Sequence, residues 1–465
     1  MKVIRWETAA LSLAVALLGA RAGLADETAE QPTVRFTSAE VYVAGKLTTQ
    51  PWETVPGAPT EVLPPGITPS PEQFAPYYAD SCPAGGCPTT GGIAQPGGTC
   101  PGGCDLCSQS SRFLDVGFWV AGGATLNPDD PVSNYNGPLT FNDRVGGQLN
   151  QLYLYLAHEA DNDGCGLAVG GRVDLMYGTD ARFSQALGLE DNWNNRRFYH
   201  LAMPQLYAEV ALNNLRVKMG HYYTILGYES VMAPQNFFYS HAYTMQYGEP
   251  FTHTGMLASY DATQTLTLHG GFDRGWDNWE DNNDDLSFLG GISWDGGCGS
   301  TAAFTVTLGD EASRLEPIIH DDRYVHSLVI SQKLDDRTTY VFQHDLGHQN
   351  HGLAPGQDAE WYGINQYLLY RMNCCWSAGA RFEWFRDDDG GRVRGLGEGN
   401  PIADEQFAGN FYALSLGMNY RPTDRITFRP EVRYDWFVGN GTALPFNDGT
   451  KDEQFTAAMD AIWKY

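Results

Sequence analysis

Between residues 113 and 465 the chain breaks into about sixteen short segments in which apolar and polar residues alternate. Short turns and long stretches separate the segments in strict alternation. A period of two residues is typical of β-strands with one apolar face. The short turns lie at 161–164, 213–214, 261–264, 295–300, 334–337, 373–375 and 421–425. The long stretches lie at 123–144, 178–202, 224–252, 273–285, 309–322, 346–358, 387–409 and 437–453.

Sixteen up-and-down strands need seven connections on one rim and eight on the other, which is the count of turns and long stretches. Transmembrane β-barrels have short periplasmic turns and longer outer loops. The sequence therefore predicts an all-β fold: a single transmembrane up-and-down antiparallel β-barrel of about 16 strands over 113–465, preceded by a Pro/Gly/Cys-rich disordered segment.

A soluble β-sandwich would also show alternation, so the charge of the polar face decides between the two folds. The clearest segment is 425–436. Its apolar face has Ile426, Phe428, Val432, Tyr434 and Trp436, and its other face has Arg425, Thr427, Arg429, Glu431, Arg433 and Asp435. A face this charged suits the polar interior of a membrane barrel, and the apolar face suits lipid.

Aromatic residues fit the same interpretation. Trp376 and Trp384 share an apolar face eight residues apart, about 26 Å along a strand. Allowing for strand tilt, this spacing is close to that of the two aromatic belts of a membrane protein. We expect the same belts to include Trp119, Tyr177, Tyr420 and Trp436.

The first 112 residues have a different composition. Residues 1–25 read as a secretory signal peptide, with Lys2 and Arg5 before an apolar stretch and small residues at its end. Residues 26–112 are rich in Pro, Gly and Cys, which predicts a largely disordered periplasmic segment.

The nine cysteines fall in two groups. After export, disulfides are favoured, although short thiolate spacings also suit zinc. The connectivity cannot be read from the sequence. The first group, in the N-terminal segment, is Cys82, Cys87, Cys100, Cys104 and Cys107; the second, at predicted short turns, is Cys165, Cys298, Cys374 and Cys375.

The formal net charge is −27, which argues against nucleic acid as a partner. Acidic outer loops would meet divalent cations and the anionic lipid heads that these cations bridge. A solvated acidic surface is the alternative.

The stretch 218–255 reads KMGHYYTILGYESVMAPQNFFYSHAYTMQYGEPFTHTG. With GFDRGWD at 271–277 and the Asp-Asn-Asn that begins at Asp281, it resembles the OmpL-like family of outer-membrane β-barrel porins. The matching parts are Gly220, 227–229, 233–240 and 250–255. The resemblance covers 113–465 and implies a porin-like barrel in the cell outer membrane, but it implies no particular solute.

The stretch 224–252 is the third and longest outer loop on this topology. Its aromatic residues are too apolar to remain in water, and we expect the loop to fold into the barrel and narrow it. Packing on neighbouring loops or on a partner subunit is the alternative. The predicted constriction residues are Glu229, Asn236, Phe237, Phe238, Tyr239, His241, Tyr243 and Glu249.

Glu229 and Glu249 would then oppose a basic pore wall and set a field across the channel. Salt-bridge ladders between neighbouring strands are the competing interpretation. The predicted wall residues are Arg172, Asp174, Arg216, Lys218, Arg381, Glu383, Arg425, Arg429, Glu431 and Arg433.

No motif of a hydrolase, a nucleotide-binding enzyme or a metalloenzyme is present, so we expect no enzyme activity, no cofactor and no metal. The cluster at Trp276, Asp277, Trp279 and Asp281 could contact sugars or calcium. The sequence favours a porin that passes small hydrophilic solutes and ions by diffusion, in contact with outer-membrane lipid and, by analogy, as a homotrimer. The alternatives are a membrane-barrel enzyme and a barrel that tethers the membrane to the cell wall through its N-terminal segment.

Overall fold

The computed structural model describes residues 114–465 except 163–165, 195–196, 298, 313–319, 397–398 and 440. Sixteen antiparallel strands form a closed barrel in which each strand pairs with its sequence neighbours and the last pairs with the first. The strands are β1 Asp115–Leu126, β2 Gly146–His158, β3 Leu167–Gly178, β4 His200–Leu212, β5 Leu215–Tyr223, β6 Thr252–Asp261, β7 Leu266–Asp273, β8 Ser287–Asp295, β9 Ser300–Ala312, β10 His320–Lys333, β11 Thr338–Ala354, β12 Gln357–Arg371, β13 Trp376–Asp387, β14 Gly409–Thr423, β15 Ile426–Gly439 and β16 Glu453–Lys464. The predicted sixteen-stranded barrel is confirmed.

All seven predicted short turns fall between the strands that they were expected to join. The long connections on the other rim include one short helix, α1 Ala181–Ser184, a 3₁₀ turn Ala233–Gln235 and a π-helical turn Thr244–Gly248. No helix within the described part of the chain has both the length and the apolar character needed to cross a bilayer.

Two of the expected long loops are shorter than predicted. β9 and β10 remain paired as far as Ala312 and His320, and β11 and β12 continue until only residues 355–356 separate them. The prediction of a loop over 346–358 was wrong because polar residues occupy both faces there. Such a hairpin keeps its backbone hydrogen bonds without an apolar face, so alternation of polarity does not mark its end.

The two faces of the barrel wall have opposite character. In β15, Arg429, Glu431 and Arg433 point inward and are buried, while Val432 and Tyr434 point outward and remain 39% and 38% exposed. Leu167, Val169 and Leu175 of β3 are likewise exposed on the outer face. The core of the molecule therefore lies inside the barrel, and its outer face is an apolar surface suited to lipid.

The aromatic belts are partly as expected. Tyr177 is exposed on the outer face, and Trp436 stacks there on Tyr412 with ring centroids 5.2 Å apart. Trp119 was wrongly assigned to a belt. It points inward, because its neighbours in the sequence take the outward positions of β1. Its ring stacks on that of Tyr153, with ring centroids 3.9 Å apart.

The predicted signal peptide and the segment 26–112 lie outside the described residues, as do Cys82, Cys87, Cys100, Cys104, Cys107, Cys165 and Cys298. Cys374 and Cys375 lie at the turn between β12 and β13, and Cys375 is disulfide-bonded.

Candidate functional site

The connection 224–251 between β5 and β6, called the inner loop below, folds into the barrel. Every residue from 236 to 250 is buried. Glycines on the inner wall make room for its aromatic rings. A Cβ atom at Gly379 would lie 2.5 Å from the ring of Phe237, and one at Gly123 would lie 2.7 Å from that of Tyr239. The inner wall is thus shaped to receive this loop.

Arg429 of β15 binds the backbone of the inner loop. Its Nη1 donates to the carbonyl oxygens of Ala233, Asn236 and Phe238 at 3.0, 2.8 and 2.9 Å. Its other nitrogens donate to Asp460 of β16 at 2.9 and 2.6 Å. One guanidinium therefore supplies a donor to three buried carbonyl oxygens of the loop.

Arg381 of β13 makes a second attachment. Its Nη1 donates to Glu229 and to the carbonyl oxygen of Ser240, both at 2.7 Å, and its Nε donates to Glu383 at 2.8 Å. The side chains of Arg381 and Glu383 are fully buried. Burial by itself would raise the pKa of Glu229, but Arg381 and then His241 lower it to about 2.

Arg433 completes this group of charges. Its Nη1 donates to Glu383 and to the carbonyl oxygen of His241, both at 2.9 Å, and its Nε donates to Asp435 at 2.8 Å. Tyr243 of the inner loop donates its N–H to Glu383 and its hydroxyl to Asp435, each at 2.8 Å. Buried charges of both signs thus hold the loop against β13 and β15.

The carboxylate of Glu431 binds backbone N–H groups of the inner loop. It accepts hydrogen bonds from the N–H groups of Tyr239 at 2.8 Å and of Ser240 at 3.1 Å. The hydroxyl of Tyr239 donates to Asn150 of β2 at 2.9 Å. The loop is therefore fixed to both sides of the seam between β16 and β1.

These wall residues point into the barrel, but the inner loop covers them. Arg381, Glu383 and Arg433 have no exposed side-chain surface, and Glu229 binds Arg381 directly rather than across open space. Glu249 faces β11, where it accepts a hydrogen bond from Gln343. Their observed contacts attach the loop to the wall.

The other predicted wall residues lie elsewhere on the barrel. Arg172 pairs with Asp174 of the same strand at 2.7 Å. Arg216 lies near the short turns, 3.8 Å from Glu159. The two remaining side chains lie over aromatic rings, Lys218 over Tyr207 at 4.8 Å and Arg425 over Tyr465 at 5.3 Å.

Two cavities lie beside the inner loop. The outer cavity has a volume of about 600 Å³ and is lined by long connections and by strand residues near the rim that carries them. The inner cavity has a volume of about 70 Å³ and lies between the loop and the wall of β4 and β5, where Gln205 and Lys218 line it. Glu249 and Phe251 line both cavities, so the two cavities lie on either side of these residues.

The outer cavity is rich in arginine. Arg144 and Arg182 lie over the ring of Phe198, at 4.6 and 5.1 Å from its centroid. The cavity also has Arg197, Arg323, Arg392 and Arg394 in its lining.

A second stack of the same kind faces the cavity. Arg323 and Arg392 lie 4.9 and 4.5 Å from the ring of Trp276. The negative face of an aromatic ring attracts a guanidinium group. Each ring therefore helps to hold two like charges near one another, beside the carboxylates of Asp143 and Glu311 that pair with Arg182 and Arg323.

Burial raises the pKa of both acidic side chains of the outer cavity. Burial raises the pKa of Asp277 to about 6, although its hydrogen bonds with the N–H groups of Thr252 and Phe251 oppose the rise. Burial and the neighbouring Asp345 raise the pKa of Glu249 well above its usual value.

The arginine cavity was not predicted from the sequence. Its arginines come from four separate parts of the chain, 127–145, 179–199, β10 and 388–408, and no local pattern connects them. The only available signal was Trp276, which the sequence analysis singled out within an acidic cluster.

Residues 114–465 match the family described as "Putative beta-barrel porin-2, OmpL-like". No curated protein sequence matches the chain significantly. Three solved structures are similar to this chain. The anion-selective porin from Comamonas acidovorans has a TM-score of 0.50 at 8% identity, covering 76% of this chain and 99% of that chain. The outer membrane channel DcaP of Acinetobacter baumannii has a TM-score of 0.49 at 12% identity over 76% and 97%. Pseudomonas putida OprB has a TM-score of 0.48 at 10% identity over 76% and 94%.

The family match spans the whole described barrel, and the Comamonas acidovorans porin agrees with it in fold. The alternative of a cell-wall tether depends on residues 26–112, which lie outside the described part of the chain, and it gains no support. The chain belongs to the OmpL-like putative beta-barrel porin-2 family, whose members are porin channels of the outer membrane.

Proposed function

We propose that small hydrophilic solutes and ions diffuse through the outer cavity, pass Glu249 and Phe251, and leave through the inner cavity. The observation that supports this route is that the same two residues line both cavities. The inner loop fills the barrel on the side of β12–β16, where its hydrogen bonds are concentrated. The remaining space lies along β4 and β5, and we place the narrowest part of the route at Glu249 and Phe251.

Replacing Phe251 with alanine should raise the single-channel conductance, because removal of the ring widens the route at this residue. Conductance in planar bilayers of purified protein in potassium chloride measures this. Phe183→Ala is the matched control, since Phe183 lines the outer cavity alone. Equal conductance of wild type and Phe251→Ala would place the narrowest point elsewhere.

We also propose that three copies assemble through the outer face of β10–β12. This face carries several polar side chains among its apolar ones. His326 lies 3.1 Å from the hydroxyl of Tyr324 and stacks on His344 at 5.4 Å. Tyr340 donates a hydrogen bond to Gln366 at 2.9 Å. Polar groups against hydrocarbon cost free energy, so a protein neighbour suits this face better than lipid does.

Replacing both His326 and His344 with glutamate should convert the trimer to monomers, because the added charges of adjacent copies would repel one another. Light scattering after gel filtration in mild detergent measures the number of chains per particle. The matched control places two glutamates on the outer face away from these strands, at Val432 of β15 and Met459 of β16, and should remain trimeric. A monomeric wild type would contradict the proposal.

A further inference from the structure

We propose that the outer cavity is a binding site for small organic anions, and that it makes the channel prefer anions to cations. The ligands are molecules with a carboxylate or a phosphate group, held by the arginines of the cavity lining. The inference rests on the route proposed above, because the outer cavity is the entrance to that route.

The arginines of the cavity lining outnumber the carboxylates that pair with them among the described residues. Arg182 pairs with Asp143 at 2.8 Å, and Arg323 pairs with Glu311 at 3.4 Å. In the part of the chain that the structure describes, Arg144, Arg197 and Arg394 form no salt bridge. Three lining arginines therefore keep their charge without a carboxylate within salt-bridge distance.

The two acids of the lining are already bonded to other protein groups. Asp277 places its Oδ1 toward the backbone N–H groups of Phe251 and Thr252, at 2.9 and 2.8 Å. Glu249 shares hydrogen bonds with Asp345 and Gln343 of β11. Both acids are bonded to protein groups of their own, and burial opposes their ionisation.

The charge of the cavity lining is positive, whereas the net charge of the chain is negative. A chain with a formal net charge of −27 would by chance present acidic surfaces to its channel. Instead, arginines from four parts of the chain converge on one cavity of about 600 Å³. A cleft lined by one sign of charge focuses its field and concentrates ions of the opposite sign.

The side chains of the lining suit a carboxylate or a phosphate group. The planar guanidinium group presents paired N–H donors that match the oxygens of a carboxylate or a phosphate. The stacks on Phe198 and Trp276 fix the planes of four of these groups before a ligand arrives. The exposed edges of the rings offer apolar contact, so an organic anion fits the lining better than a simple halide.

The first measurement is the reversal potential of single channels in a gradient of potassium chloride. We expect wild type to pass chloride about tenfold more readily than potassium, in line with the counter-ion enrichment of a charged cleft. The variant Arg144→Gln/Arg197→Gln/Arg394→Gln should lose most of this preference while it still conducts. The matched control, Arg274→Gln/Arg337→Gln/Arg386→Gln, removes the same charge outside the cavity and should behave as wild type.

The second measurement uses citrate as the carboxylate probe and glucose 6-phosphate as the phosphate probe, with sucrose as the neutral control. Each anion should reduce the chloride current of wild type, and the triple cavity variant should require at least about tenfold more of it. A reduction by only one of the two anions would support the site and restrict it to that chemistry.

Binding is measured separately by calorimetric titration of the folded protein in detergent, which requires no conduction. A protein that binds citrate but does not conduct would refute the proposed route and preserve the site. A cation-selective channel, or a cavity variant with unchanged selectivity and unchanged binding of both anions, would overturn the inference. Far-ultraviolet circular dichroism checks that the triple variant has folded, and Arg394→Gln alone, at an exposed position, should show a smaller shift in the same direction.

Discussion

Replacing Arg381 with methionine should lower the free energy of unfolding by about 3–5 kcal/mol, the usual cost of removing one partner of a buried ion pair. The substitution leaves the carboxylates of Glu229 and Glu383 buried with less positive charge beside them. It also removes the donor to the carbonyl oxygen of Ser240. Unfolding by urea in lipid vesicles, followed by tryptophan fluorescence, measures the change.

The matched control is Arg386→Met on the same strand. Arg386 points outward and pairs with Asp388, whose side chain is 41% exposed, so its loss should cost less than about 1 kcal/mol. Arg381→Met combined with Glu229→Gln should recover part of the lost stability, because one of the stranded charges is removed. Equal losses for Arg381→Met and Arg386→Met would show that the buried charges do not hold the inner loop.

The strands could be predicted from the sequence because the relevant signal is local. An outward residue must suit lipid and its neighbour must suit the interior, so a period of two residues identifies each strand and its faces. Val432 and Arg433 lie on opposite faces for this reason. The signal fails where lipid is absent, which is why the hairpin at 346–358 was mistaken for a loop.

The contacts of the inner loop could not be predicted in the same way. The sequence places Arg381, Arg429 and Arg433 on the inner face of their strands, and the structure finds them there. Whether such a side chain meets water or the backbone of a loop depends on residues about 150 to 200 positions away, as in the pair Glu229–Arg381. Local alternation contains no information about that choice.

The arginine cavity shows the same limit more strongly. Arg144 and Arg394 come together only because the barrel closes and brings the first and seventh long connections to one rim. The cavity arginines lie in four stretches of sequence that share no local motif. The site is therefore a product of closure of the barrel rather than of any motif.

Replacing residues 225–250 with a four-residue glycine-rich turn should raise single-channel conductance several-fold and admit larger sugars. The base of the inner loop is suited to this change, because the N–H of Thr224 donates to the carbonyl oxygen of Phe251 at 3.0 Å and Tyr223 pairs with Thr252. A short turn can therefore close the hairpin between β5 and β6. Conductance in planar bilayers and swelling of vesicles in sugars of increasing size measure the two effects.

This deletion should disturb the barrel less than its size suggests. Once the loop is gone, the lumen of a sixteen-stranded barrel fills with water, and its buried charges become solvated. Arg433 keeps Glu383 and Asp435, and Arg429 keeps Asp460, so each remains paired on the wall. Arg381→Met, in contrast, strands charges beneath a loop that still excludes water.

Removal of residues 281–285, an exposed tip in the connection between β7 and β8, is the control and should leave conductance unchanged. If the deletion of 225–250 produced a folded barrel with the conductance of wild type, the inner loop would not narrow the channel. The arginine cavity would then lose part of its lining without any effect on conductance, since Glu249 belongs to both the deleted segment and the cavity lining. Conductance and anion preference should therefore change together in this variant, the first rising as the second falls.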